Sequence, residues 1–115
     1  MFAGSGVLHH ESLLAFLRHA LGFVARLRAA YFAVPIVDFG GGFGIDYSGG
    51  GRTLDLGQLA VGLRGLVAQL GMLDTCLLFE LGRYLVGEGG FYVTEIVDIK
   101  RSRGRTHLVT AGGIN

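Results

Sequence analysis

The chain has 115 residues, room for one small domain, and a closed eight-stranded α/β barrel, which needs roughly 250 residues, could be present in it only in part. Half of the residues are apolar and 17% are charged, which is the composition of a core-forming segment and excludes a disordered tail. The net charge of +1 excludes a global pull toward nucleic acid, and the basic cluster Lys100-Arg101-Ser102-Arg103-Gly104-Arg105 reads as a solvated hairpin tip. Cys76 is the single cysteine, so no disulfide can form within the chain, and it suits a reducing compartment. The longest uncharged apolar run considered, Ala29 to Val37, is nine residues with Pro35 inside it, short of the roughly 18 that span a membrane. "MFAGSGVLHH" lacks the basic start and apolar centre of a signal peptide. The sequence reads as that of a soluble cytoplasmic protein without nucleic-acid or membrane partners.

In chain order, Leu13, Leu17, Ala20, Leu21, Val24 and Leu27 recur at three- and four-residue spacing and predict a helix from about Glu11 to Arg28. "PIVDF" is a short strand, apolar enough to be buried on both faces by helices, and it ends at Gly40. The loop from Gly40 to Thr53 holds seven glycines. Asp55 is a suitable cap for a second helix, about Leu56 to Leu70, with Leu59, Leu63, Leu66 and Leu70 in register and Gly71 ending it. A second apolar strand, "CLLFE", ends on Glu80, and a short helix through "GRYLVGE" follows. From Phe91 the pattern changes to a hairpin: "FYVTEIVDIK", the turn "SRGR", then "THLVT". The change near residue 90 marks a domain boundary, with the second domain cut after its first strands.

Both apolar strands end in chemistry-bearing residues. In parallel α/β sheets and barrels, ligands sit at the carboxyl ends of strands, which would bring the triglycine Gly40-Gly41-Gly42 and Glu80 to one face. Glycines let successive amides turn toward one anion, so the loop could cradle a phosphate. "DFGGGFG" also fits the acid-x-G-x-G-x-G pattern of an S-adenosylmethionine loop, and a plain glycine-rich connector is the third reading. The Rossmann dinucleotide pattern is not met, because its last position falls on Ile45. The long helix and the "AGSG" element ahead of the loop weigh against a methyltransferase. A carboxylate at the end of a buried strand needs a partner. Glu80 could pair with Arg83, or it could face a cationic heterocycle and keep it protonated. Cys76 reads as a small core residue, His9 and His10 as solvated or capping, Asp46 and Asp55 as loop and cap residues.

"IVDFGGGFGIDY", "LFELGRYLVGEGGFYVTEIVDIK" and "HLVTAGGIN", in this order and spacing, resemble the pyridoxal-phosphate-dependent decarboxylases of the ornithine, diaminopimelate and arginine group. "ELGRYLVGE" is most similar to the exosortase-associated subgroup, with Leu81 where the wider family has proline. The resemblance implies an α/β fold: the last strands and helices of a (β/α)8 TIM-type barrel of the alanine-racemase kind over residues 1–90, then the first hairpin of a C-terminal β-domain over 91–115. It implies pyridoxal 5'-phosphate as cofactor, carboxy-lyase action on a basic or diamino acid such as diaminopimelate, ornithine or arginine, and a homodimer. By it, Ser5 and the triglycine Gly40, Gly41 and Gly42 hold the cofactor phosphate, Glu80 pairs with the pyridine nitrogen, and Arg83 faces the phosphate or a substrate carboxylate. The family also holds its cofactor as a Schiff base to a lysine on the first barrel strand. The one lysine here, Lys100, lies in the hairpin. The ring-stacking histidine would fall before Met1 or be replaced by Phe2, and the family's substrate-facing cysteine and acid would lie beyond Asn115. Ala111 stands where the close subgroup has aspartate. The expectation is therefore a partial decarboxylase chain that is inactive alone. A non-catalytic remnant or oligomerising fragment and a methyltransferase are the alternatives.

Overall fold

The computed structural model describes residues 6–30 and 32–113. Helix α1 (His10–Ala29) buries Leu13, Leu17, Leu21 and Val24, the face that the leucine spacing predicts. Glu11 in its first turn and Arg26 and Arg28 in its last complement the helix dipole. His9 occupies the N-cap position without donating or accepting a side-chain cap bond. Helix α2 (Leu56–Gln69) is capped as predicted, the Gln58 amide donating to Asp55 Oδ1 at 2.9 Å, and Gly71 leaves it at φ 63°.

Strands β1 (Ile36–Asp38) and β2 (Cys76–Leu78) pair in parallel, Val37 opposite Leu77. With α2 between them they form a β-α-β unit. The α1 helix packs on α2, where Gly62 leaves room for the Leu14 side chain. Leu17, Leu21 and Met72 sit at the centre of the resulting core, with Phe39, Phe43 and Leu54 closing it. The Arg28 guanidinium donates to both carboxylate oxygens of Asp74, each at 2.9 Å, and to Thr75 Oγ1 at 2.6 Å. That fork ties the end of α1 to the turn leading into β2.

Helix α3 (Gly82–Val86) follows β2, and an antiparallel hairpin of β3 (Ile96–Ser102) and β4 (Arg105–Thr110) completes the described chain. The hairpin packs against no other helix or strand among the described residues. The radius of gyration is accordingly 18.5 Å, against about 13 Å for a compact domain of this size.

Three local expectations change. The two apolar strands are not buried on both faces: Ile36 is 56% and Leu78 45% exposed, while Val37 and Leu77 are half-buried against the core. The described sheet has only two strands, so its other face and its edges stay open. Cys76, expected in the core, is exposed for the same reason. The first hairpin strand begins at Ile96 rather than Phe91, because β4 ends at Thr110, the partner of Ile96. Upstream of Glu95, whose carbonyl takes the Ala111 amide at 2.9 Å, no strand among the described residues pairs with the chain.

Candidate functional site

Two buried phenylalanines pin the triglycine at its ends. Phe39 lies 4% exposed and stacks on Phe79, ring centroids 5.3 Å apart; Phe43 meets Phe79 edge-on at 5.6 Å and Tyr84 at 6.0 Å. The pattern F-G-G-G-F thus lays a short side-chain-free arch over an aromatic floor.

The β1–β2 ladder continues into this arch. The Phe39 amide donates to the Leu78 carbonyl at 3.1 Å, and the Glu80 amide donates to the Gly40 carbonyl at 2.7 Å. Gly40 and Glu80 therefore lie side by side at the carboxyl ends of the two parallel strands, as their strand-end positions predict. Their approach leaves no space for a side chain on Gly41, whose Cβ would lie 2.5 Å from the Glu80 carbonyl oxygen, while a Cβ on Gly40 would meet Glu80 Oε2 at an ordinary contact distance of 3.8 Å. Gly40 and Gly42 take φ of 71° and 104°, where L side chains are strained.

The segment upstream of α1 closes the other side of the arch. The Val7 amide donates to the Gly42 carbonyl and the Gly44 amide to the Val7 carbonyl, both at 2.9 Å. Gly44 and Gly6 are in such close backbone contact that neither chain could pass with a Cβ on Gly44. Gly6 borders Arg83, whose Nη1 would lie 3.2 Å from a Cβ there. Ser5 lies outside the described residues.

An inverse γ-turn links Glu80 to Arg83. The Gly82 amide donates to the Glu80 carbonyl at 3.1 Å across Leu81, which has φ −88° and ψ 58°. The chain reverses at once into α3, so Arg83 returns toward Gly6 rather than continuing along the strand. Among the described residues Glu80 and Arg83 form no ion pair with each other or with any other side chain, which removes the salt-bridge reading of Glu80. The Gly40 amide is taken by Asp38 Oδ1 at 2.8 Å. The amides of Gly41, Gly42 and Phe43 have no acceptor among the described residues. Three consecutive amides without an acceptor, the Glu80 carboxylate and the Arg83 guanidinium, neither of which is ion-paired among the described residues, come together near the ends of β1 and β2, a set with the chemistry of an anion site beside an acceptor for a cationic ring.

Sequence reasoning did not find Tyr47, whose ring lies 5.8 Å beneath the Arg83 guanidinium. Nor did it find the clasp beside it. The Asp46 carboxylate is only 5% exposed and accepts from the Ser48 amide at 3.0 Å, from the Ser48 hydroxyl, and from the Arg52 amide at 3.1 Å, with the Arg52 guanidinium at 3.4 Å. These bonds, the Ser48 hydroxyl first and the Arg52 side chain next, hold the Asp46 carboxyl well below the usual carboxylate range. The only sequence signal for this was an acid set among glycines.

A family model, "Pyridoxal-dependent decarboxylase, pyridoxal binding domain", matches residues 1–87. Diaminopimelate decarboxylase of Methanothermobacter thermautotrophicus is 30% identical over 95% of this chain and 27% of its own length. L-glutamyl-[BtrI acyl-carrier protein] decarboxylase of Niallia circulans is 25% identical over all of this chain and 28% of its own length. Among solved structures, diaminopimelate decarboxylase from M. jannaschi superposes with a TM-score of 0.68 at 22% identity, covering 96% of this chain and 26% of that one. The chain thus spans about a quarter of the length of the relatives it matches, and its β-α-β unit is a portion of their α/β fold.

Proposed function

Because the chain belongs to the pyridoxal-dependent decarboxylases, which it matches through their pyridoxal binding domain, we propose that it supplies the phosphate- and ring-binding part of a carboxy-lyase acting on an amino acid. The observation that carries this reading is the convergence of Gly6, the triglycine with its unpartnered amides, Glu80 and Arg83 at the ends of β1 and β2. The reading replaces the methyltransferase alternative.

In this proposal the amides of Gly41 and Gly42 and the Arg83 guanidinium hold the phosphate of pyridoxal 5'-phosphate, Gly40 provides the turn that presents them, and Ser5 adds a hydroxyl. Glu80 accepts a hydrogen bond from the ring nitrogen and so keeps a proton there. When bound, the pyridoxal ring supplies an electron sink for the pair left on Cα as CO2 departs. The phosphate grip fixes the ring so that the scissile bond can be aligned with it. Residues 1–90 form part of the barrel and 91–115 open the β-domain; the whole enzyme is a homodimer acting on a basic or diamino acid, and Leu81 places it near the exosortase-associated subgroup. Lys100 sits on β3, in the hairpin that packs against no other element among the described residues. No lysine therefore belongs to the proposed site, and the chain alone should bind without turnover. Incubation with pyridoxal phosphate, borohydride reduction and peptide mapping tests this. The expected result is reversible binding without a stoichiometric lysine adduct. An adduct with CO2 release from lysine, ornithine or diaminopimelate would overturn it.

A second reading of the substrate has one observation in its favour. The relative from Niallia circulans is named for an L-glutamyl group on an acyl-carrier protein, and a basic hairpin tip could receive such a carrier.

A further inference from the structure

Alternate residues of the segment that leaves the triglycine arch meet helix α3. The Phe43 ring meets the Tyr84 ring edge-on at 6.0 Å. Ile45 packs so closely on Gly87 that a Cβ there would overlap its side chain. Tyr47 lies beneath Arg83, its ring centroid 5.8 Å from the guanidinium carbon. The residues between them have other partners: Gly44 is in backbone contact with Gly6, and Asp46 turns its carboxylate to Ser48 and Arg52. Helix α3 has five residues and buries none of them, and one so short depends on such neighbours for its placement.

Tyr47 differs from the other two. Its side chain is 70% exposed, so it adds little to the core, yet its backbone is fixed. Asp46 accepts from the Ser48 amide at 3.0 Å, an Asx turn with Tyr47 at its middle, and from the Arg52 amide at 3.1 Å. Above the ring, the Arg83 guanidinium has no acceptor for its N–H groups among the described residues. A ring beneath a guanidinium attracts its charge and leaves its N–H groups free to donate, as a two-pronged grip on an anion requires.

We propose that Tyr47 is a positioning residue for Arg83: its ring, seated by the Asp46 turn, keeps the guanidinium beside Gly6 at the mouth of the arch, ready for a phosphate. This role rests on the pyridoxal-phosphate reading of the site given above. Two measurements on the full chain test it, each in wild type, Tyr47→Phe and Tyr47→Leu. Without ligand, ring-current shielding should hold the Arg83 Nε proton upfield in the NMR spectra of wild type and Tyr47→Phe, and the signal should move downfield in Tyr47→Leu. By equilibrium dialysis, the preference for pyridoxal 5'-phosphate over pyridoxal should fall about two- to fivefold in Tyr47→Leu, the worth of an exposed cation–π contact, and be kept in Tyr47→Phe. An Arg83 signal that stays in place in Tyr47→Leu, a preference that survives there, or one that is lost in Tyr47→Phe would overturn the proposal alone. Equal wild-type affinity for the two compounds would overturn the cofactor reading along with it, which separates the two failures.

Discussion

The two halves of this chain are held in different ways. Among the described residues every buried apolar side chain lies between Leu13 and Met72, in the helices α1 and α2 and the segments around β1. The hairpin buries none: Ile96, Val97, Ile99, Leu108 and Val109 are each 43% to 58% exposed, and Phe91 and Val93 just ahead of it are almost fully so. Its order comes from the backbone ladder and a two-residue turn, which alone are marginal in water. The α/β half folds around its own core, whereas the hairpin presents a surface. The candidate cofactor site belongs to the first.

That contrast can be broken most directly in the core. Leu21→Ala, at a side chain with no exposure, should destabilise the α/β half by about 2–5 kcal/mol, while Ile99→Ala should stay within about 0.5 kcal/mol; urea unfolding followed by circular dichroism reads both. Equal effects would mean that the hairpin and the core unfold as one unit. Gly41→Ala comes next. Its Cβ would press on the Glu80 carbonyl, so a loss of about 1–3 kcal/mol is expected, together with a weakened grip on phosphate measured by equilibrium dialysis.

The Asp46 clasp sharpens the comparison through pH. A carboxyl held below its ordinary value contributes stability above the unfolded value of about 3.9, and this contribution is lost only as pH falls through the lower, folded value. The Ser48 and Arg52 amides should therefore keep their exchange protection by NMR through mildly acid pH. In Asp46→Asn they should lose it at neutral pH, with the hairpin amides unaffected. The smallest effect is at the tip. Arg103→Gly relieves a left-handed non-glycine residue and should stabilise the hairpin by about 1 kcal/mol, with no change in the unfolding midpoint of the α/β half.

Local rules made much of the first half legible. Leucine spacing placed α1, Asp55 and Gly71 bounded α2, and the two strand ends put Gly40 and Glu80 together. What those rules could not reach depends on neighbours distant in sequence. The Gly6–Gly44 contact and the ring of Tyr47 beneath Arg83 join segments that no periodicity links. The exposure of Cys76, Ile36 and Leu78 misled because apolar strands imply flanking layers, and the described chain supplies only one. The phosphate role of the triglycine stays one of three readings on the residues themselves; the order of the glycine and E-L-G-R motifs, through family resemblance, is what supports the proposal of it.

The central claim is that the arch of Gly40 to Gly42 and Arg83 grips a phosphate. The most direct measurement compares the affinity of the chain for pyridoxal 5'-phosphate and for pyridoxal, in wild type and in Arg83→Gln. The account predicts a clear preference for the phosphorylated form that collapses in Arg83→Gln while the circular dichroism spectrum is unchanged. Equal affinity for the two compounds in wild type, or a preference that survives in Arg83→Gln, would contradict it.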